Sequence, residues 1–226
     1  MLINDCSEDK SWQKIKSLKK KKKFLKGINL KKNYGQHSAI FCGLRFCKGK
    51  YIVCMDDDMQ HNPKYIPKMI DVLEKNYDVC YVKFKKREHT ILKTIISYAN
   101  NIVSSFLMNK PISIYNSSYK SLKNKIAKKI ISNNQNYIFL DYWIFKYTNK
   151  ITYINILHNK RLSGETNYGL REMLTLWSRM IFLIELKKIN LQNLLVKFFR
   201  IIFKLFLKNY INYKKDKKIV ISEKLF

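Results

Sequence analysis

The hydrophobic positions of this chain fall first into short runs and then into longer periodic stretches. Leu2-Ile3-Asn4 reads as the end of a strand. Ser11 to Leu25 reads as a helix that contains the run Lys19 to Lys23. Ile28-Asn-Leu30 is a short strand. Gln36 to Cys47 predicts a helix with Ala39, Ile40, Gly43 and Leu44 facing inward. Tyr51 to Met55 is a buried strand that runs directly into three aspartates. Pro63 to Lys75 predicts a helix, Asp78 to Phe84 a strand, Thr90 to Asn109 a helix and Ile112 to Tyr115 a strand. Lys120 to Asn136 reads as a basic helix and a polar loop, and Ile151 to Leu157 as a β-branched strand. This alternation predicts an α/β fold with a doubly wound, mostly parallel sheet.

The pattern changes after Tyr168. Leu170 to Lys187 and Leu191 to Tyr213 predict two helices. The second sets Lys197, Arg200, Lys204 and Lys208 on one stripe and apolar residues on the rest. A basic stripe on a greasy helix suits a membrane interface, and it also suits packing on the domain's own core. No segment is a bilayer-length apolar run, because charges interrupt both helices. The tail from Lys214 is polar and is expected to fray. The organisation is therefore a domain over 1–168 and amphipathic helices with a basic tail over 169–226.

Composition sharpens this picture in two ways. Lys and Arg number 45 against 16 Asp and Glu, a net charge of +29. Such a surface seeks polyanions: nucleic acid, anionic lipid or phosphorylated ligands. No nucleic-acid-binding motif accompanies the charge. The 5 cysteines include no CxxC pair, which argues against a zinc site or disulfide framework and for a reducing compartment. The start of the chain turns polar at once, unlike a signal peptide.

Four segments carry candidate chemistry. Asp56-Asp57-Asp58-Met-Gln60-His61-Asn-Pro63 follows a buried strand, and open α/β sheets bind ligands at that edge. Two carboxylates one residue apart, Asp56 and Asp58, can grip a hard divalent cation that bridges a diphosphate. An ordinary solvated turn would have to explain three like charges side by side in a strongly basic chain. Asn4 to Trp12, with Asp5, reads by itself as a helix-capping sequence. Arg87, after the next strand, can clamp a phosphate or stay solvated. Arg161, the backbone after Gly164 and Thr166 can together hold phosphate oxygens.

Taken together, Ile3-Asn-Asp-Cys-Ser-Glu-Asp9, Asn33-Tyr-Gly-Gln-His-Ser-Ala39, Gly49 to Pro63 and Arg161-Leu-Ser-Gly-Glu-Thr-Asn-Tyr168 resemble the family 2 glycosyltransferases of the polyprenyl-phosphate branch. The resemblance spans residue 3 to about 168 and implies a GT-A-like fold. It implies transfer of a sugar from a nucleotide-sugar donor to a lipid phosphate, with Mg²⁺ or Mn²⁺ as cofactor. It places the chain peripherally on the inner, cytoplasmic face of an anionic membrane. Donor binding falls to Asp5, Asp56, Gln60 and Arg87, with Asp56 and Asp58 as metal ligands. Acceptor binding falls to Arg161, Thr166 and Tyr168. Asp58, Asp141 and Arg161 carry catalysis. Asp141 stands where many relatives place an acid in the acceptor half, and it can also simply cap a helix or pair with a surface lysine. By the same comparison the family's first strand, which should precede Leu2, is absent, and Cys6 stands where the family has Gly. Two other outcomes follow from the resemblance: a transferase acting on a saccharide, for which Asp141 would be indispensable, or an inactive remnant.

Overall fold

A computed structural model describes residues 1–85, 91–132, 139–157 and 219–226. The N-terminal part follows the expected rhythm: β1 (Leu2–Asn4), α1 (Ser11–Lys21), β2 (Gly27–Leu30), α2 (Gln36–Leu44) and β3 (Tyr51–Cys54). A 3₁₀ turn at Pro63–Tyr65 leads into α3 (Ile66–Glu74), then β4 (Val79–Lys85) and α4 (Ile91–Met108). After these come β5 (Lys120–Lys123), α5 (Asn124–Ser132), α6 (Leu140–Tyr147), β6 (Ile151–Leu157) and β7 (Ile221–Leu225). The helices expected at Leu170 to Lys187 and Leu191 to Tyr213 lie outside the described residues.

The described strands form two sheets, ordered β1-β2-β7 and β3-β5-β4-β6. β1 runs parallel to β2, and β4 parallel to β6. β5 runs antiparallel to both β3 and β4 and sits between them. The strand directions are therefore mixed rather than mostly parallel. The reason is β5 itself, in a segment whose sequence reads as a basic helix. Its residues Lys-Ser-Leu-Lys have weak strand preference, but pairing on both sides overrides local propensity. Residues Ile112 to Tyr115, expected as a strand, lie in turn and loop instead. α6 follows Phe139, in a stretch to which the sequence pattern assigned no element.

α2 explains how the sheets share one body. Phe41 and Leu44 pack with Ile52 and Cys54 of β3, while Ala39 and Cys42 pack with Ile28 and Leu30 of β2. A helix wedged this way buries more than one face. That is why Phe41 and Cys42, outside the expected inward stripe, are as buried as Leu44, whereas Ile40 is only half-buried. β4, like β5, is an interior strand of its sheet, and Val79, Cys80, Tyr81 and Val82 are buried on both of its faces.

The C-terminal residues return to the first sheet instead of fraying. β7 pairs antiparallel with β2. Glu223 accepts a hydrogen bond from Trp12 Nε1 at 2.8 Å and pairs with Lys16 at 2.8 Å. α1 lies close on this sheet because Gly27 has no side chain: a Cβ there would stand 2.8 Å from Ile15 Cγ2.

Two backbone positions bear on stability. Cys6 holds φ at 59°, in the left-handed region that favours glycine. Its neighbours thus keep the turn that glycine would make easily, at a cost of about 1 kcal/mol. We expect Cys6→Gly to raise stability by about 1 kcal/mol and Cys6→Val to lower it, as read by chemical denaturation. Asp78 joins three elements. Its amide donates to the Lys150 carbonyl at 2.7 Å, and its carbonyl accepts from Lys123 N at 2.9 Å. Its carboxylate accepts from Thr148 Oγ1 at 2.8 Å and pairs with Lys125 at 2.8 Å. Burial pushes this carboxyl up, but the bonds from Lys125 and Thr148 and the nearby lysine charges hold it below its ordinary value. A depressed pKa contributes stability that is present above the unfolded value, about 3.9, and is lost as pH falls through the folded one. Asp78→Asn should therefore cost about 1–2 kcal/mol at neutral pH, and its deficit should shrink below about pH 4 in an acid titration of denaturation midpoints.

Candidate active site

The acidic residues reach one place from two strands. Asp5 follows β1 and Asp56 follows β3, each just beyond the carboxyl end. The loop between β2 and α2 connects them. Asp5 accepts from the Tyr34 amide at 2.8 Å and from the Gly35 amide at 2.7 Å. The next residue, Gln36, donates from Nε2 to Asp56 Oδ1 at 2.6 Å. Gly35 has φ 84°, a conformation that a side chain would strain, and this turn lets consecutive residues face the two acids. The sequence reading left Asp5 between capping and ligand binding. The segment divides the work: Asp9 accepts from Ser11 N at 2.9 Å at the start of α1, while Asp5 holds the loop before α2.

Asp56 is held from three further directions. Its second oxygen, Oδ2, accepts from Ser118 Oγ at 2.6 Å. Its backbone N–H donates to His61 Nδ1 at 2.9 Å, which assigns the imidazole proton to Nε2, 3.9 Å from Asp56 Oδ2. His61 is buried and stacks on Tyr119, with ring centres 4.7 Å apart. Tyr119 in turn donates from its hydroxyl to the Asn62 carbonyl at 2.8 Å. Asp58 sits in the turn that follows, where it accepts from the Gln60 amide at 3.2 Å, with Met59 at φ 63° between them. Gln60 thus stands beside the acids through its backbone. Arg87, Arg161, Thr166 and Tyr168 lie outside the described residues.

Asp141 lies in the first turn of α6 and is 4% exposed. Its Oδ1 accepts from Tyr81 Oη at 2.7 Å and from the buried ammonium of Lys120. The partner is thus a lysine of the sheet interior, not of the surface. Lys120 lies opposite Cys54 in one direction and Tyr81 in the other. The pair therefore stands next to the last residue of β3, just behind the acid turn. Burial, with the Asp141 charge and hydrogen bond added, raises the Tyr81 phenol well above its ordinary value. The Cys54 thiol is pushed up to about 12 by burial and is inert as a nucleophile.

A second buried lysine fixes the approach to β5. Lys110 donates from Nζ to Asn101 Oδ1 at 2.7 Å, Ser105 Oγ at 3.0 Å and the Ile114 carbonyl at 2.6 Å. Burial pushes it down to about 8, against an opposing pull from Asp141, so it remains an ammonium at neutral pH. Asn101 also donates to the Ile112 carbonyl at 2.7 Å. Loop 110–119 is thereby tied to α4 at one end and, through Ser118 and Tyr119, to the acid turn at the other. Sequence reasoning missed Gln36, His61, Tyr81, Lys110, Ser118 and Lys120. Gln36 and His61 carried a usable signal, since both lie inside motifs already singled out. Ser118 and the lysines carried none, being one serine of a loop and two lysines in a lysine-rich chain.

Among the described residues no group of three or more His, Cys, Asp or Glu side chains is arranged to hold a metal ion. Asp56 and Asp58 both stand in the turn after β3 and offer the oxygen donors that a hard cation such as Mg²⁺ or Mn²⁺ takes.

Comparison with known proteins identifies the family and the fold. The model of glycosyl transferase family 2 matches residues 1–132. The undecaprenyl-phosphate 4-deoxy-4-formamido-L-arabinose transferase of Photorhabdus laumondii is 24% identical over 177 residues, 78% of this chain and 54% of that protein. The Yersinia pestis transferase of the same name is 25% identical over 182 residues, 80% of this chain and 56% of its own length. The chain thus spans about half the length of the curated relatives it matches. Among solved structures, a mycobacterial protein superposes with a TM-score of 0.55 at 12% identity, covering 81% of this chain and 63% of its own. Glucosyl-3-phosphoglycerate synthase from Mycobacterium tuberculosis, in complex with phosphoglyceric acid, gives a TM-score of 0.52 at 11% identity, covering 81% and 68%. The same synthase with Mn²⁺, UDP-glucose and phosphoglyceric acid gives 0.50 at 13%, covering 79% and 68%. These likenesses establish a GT-A-like α/β fold. With the family model running from β1 to the end of α5, more than half of the sequence, the chain belongs to glycosyl transferase family 2.

Proposed function

We propose that this chain is the catalytic part of a glycosyltransferase that moves a sugar from a nucleotide-sugar donor to a polyprenyl phosphate at a membrane surface. The observation that carries the reading is the acid turn: Asp56 and Asp58 at the carboxyl end of β3, tied through Gln36 to the loop that holds Asp5. The names of the curated relatives, which act on undecaprenyl phosphate, support the acceptor class. Among the described residues no helix is long and apolar enough to cross a membrane. Membrane contact is assigned to the basic amphipathic segment from Leu191 to Tyr213.

The reaction is a single inverting displacement. An acceptor phosphate oxygen attacks the anomeric carbon, the bond from that carbon to the donor diphosphate breaks, and the nucleoside diphosphate leaves. A divalent cation, Mg²⁺ or Mn²⁺, held by Asp56 and Asp58 would screen the charge that gathers on the leaving diphosphate. The chain's own work is orientation. Asp5, Gln60 and Arg87 are assigned to the donor, and Arg161, Thr166 and Tyr168 to the acceptor phosphate. A phosphomonoester has a second pKa of about 6, so it is largely ionised at neutral pH and needs no strong base. The position of Asp141 supports this acceptor. A carboxylate 4% exposed, with one oxygen taken by Tyr81 and Lys120, is better suited to hold Lys120 than to deprotonate a sugar hydroxyl.

Four measurements test the reading. Membranes carrying the full-length protein, given radiolabelled nucleotide sugars and polyprenyl phosphate, should yield label that extracts into organic solvent and depends on Mg²⁺ or Mn²⁺. Label found only in water-soluble saccharide would favour the saccharide acceptor, and no transfer from any donor would favour an inactive remnant. Asp58→Asn should lower transfer by about a hundredfold or more, because a metal contact contributes several kcal/mol of transition-state stabilisation. Arg161→Lys should cost about tenfold, since an ammonium does not reproduce a two-point phosphate contact. Asp141→Asn should lower folding stability by about 3 kcal/mol in denaturant titrations, because it leaves the Lys120 charge buried without its counter-ion.

A further inference from the structure

Both oxygens of Asp56 are engaged by side chains from other elements. Gln36 Nε2 reaches Oδ1 from the first turn of α2, and Ser118 Oγ reaches Oδ2 from the loop before β5, each at 2.6 Å. A carboxylate on a turn samples several rotamers, and a hydrogen bond at each oxygen from opposite sides selects one orientation of its plane. Each donor is itself placed. Gln36 follows the left-handed Gly35, whose amide is fixed by Asp5. Ser118 precedes Tyr119 and Lys120, both buried, and sits in a loop whose other end is fastened by Lys110. A hydroxyl or amide donor also leaves the second lone pair of each carboxylate oxygen open to a cation, where a lysine ammonium in the same place would compete with it.

We propose that Ser118 and Gln36 are positioning residues that orient the Asp56 carboxylate for a divalent cation, acting through Asp56 rather than on the substrate. The proposal rests on the reading of the acid turn given above. Its consequence is a division of labour: Asp56 is the pre-set ligand, and the two donors determine cation affinity while adding little to folding. Gln36 is exposed and Ser118 half-buried, so neither truncation opens a cavity in the core.

The test reads Mn²⁺ binding directly, by the loss of the free Mn²⁺ electron paramagnetic resonance signal, with the full-length protein alone and with uridine or guanosine diphosphate. Ser118→Ala and Gln36→Ala should each weaken Mn²⁺ binding roughly tenfold, the scale of a hydrogen bond to a charged group. Their thermal midpoints should stay within about 2 °C of the parent. Ser118→Thr, which keeps the hydroxyl, should bind as the parent does. Variants that bind Mn²⁺ as tightly as the parent would overturn the positioning role and leave the acid-turn reading standing. Equal losses in Ser118→Thr and Ser118→Ala would also overturn it, by showing that packing and not the hydroxyl matters. A parent that binds no Mn²⁺ under any of the three conditions would overturn both this proposal and the metal reading of the turn.

Discussion

A lysine at the centre of a β-sheet can be buried only if its charge is met, and the arrangement of this fold around its site depends on how that is done for Lys120. Its ammonium reaches Asp141 on α6 and lies 5.0 Å from the centre of the Tyr81 ring. Burying two ions separately would cost several kcal/mol each, so the pair forms only when β5 and α6 arrive together. β5 is thereby committed to the slot between β3 and β4. Once it is there, the residue two places earlier, Ser118, is at the end of β3 and within reach of Asp56. The ion pair thus serves geometry more than stability, because it ties the register of an interior strand to the position of an acid turn.

The first half of the chain was legible because local pattern and tertiary role agree there. Leu2 to Asn4, Ile28 to Leu30 and Tyr51 to Cys54 are apolar strands flanked by polar turns, and they fold as read. Asp56 and Asp58 could be located because a strand that ends in carboxylates delivers them to the sheet edge whatever lies beside it. β5 was illegible for the opposite reason. Nothing in Lys120 to Lys123 distinguishes an interior strand from a basic helix until Asp141 is placed 21 residues away. The partner of Asp141 was hidden at the same point: pairing with a lysine was open in the sequence, but that the lysine is the buried Lys120 is a matter of tertiary structure. β7 repeats the lesson: Glu223 reads as part of a polar tail until Trp12 and Lys16 are brought to it across most of the sequence.

Strain and turn geometry link the two strand ends. Cys6 and Gly35 both adopt positive φ, and they lie on either side of the Asp5 hydrogen bonds. A glycine meets that demand without cost and a cysteine does not, yet Cys6 holds φ at 59°. Retention of a strained residue implies that the surrounding bonds over-determine it. Here those bonds are the two Asp5 contacts, which also place Gly35 and hence Gln36. The geometry at Asp56 is therefore fed from two directions, through a turn anchored on β1 and through a loop anchored on β5.

The charge balance of the chain gives this local order its chemical meaning. A net charge of +29 surrounds a turn that holds three consecutive carboxylates. A basic surface attracts a polyanionic donor and an anionic membrane alike, and it does so without regard to orientation. Discrimination has to come from fixed groups that oppose the general field. Asp56, Asp57 and Asp58 are such groups: on the proposed function they would repel a bare diphosphate and accept it only when a cation is interposed. The buried ammonium of Lys120 acts on the same balance from behind the turn. It is neutralised by Asp141 and so adds little net charge, which on the proposed function would leave the carboxylates to select a cation-bound diphosphate over the many other anions that the surface would gather.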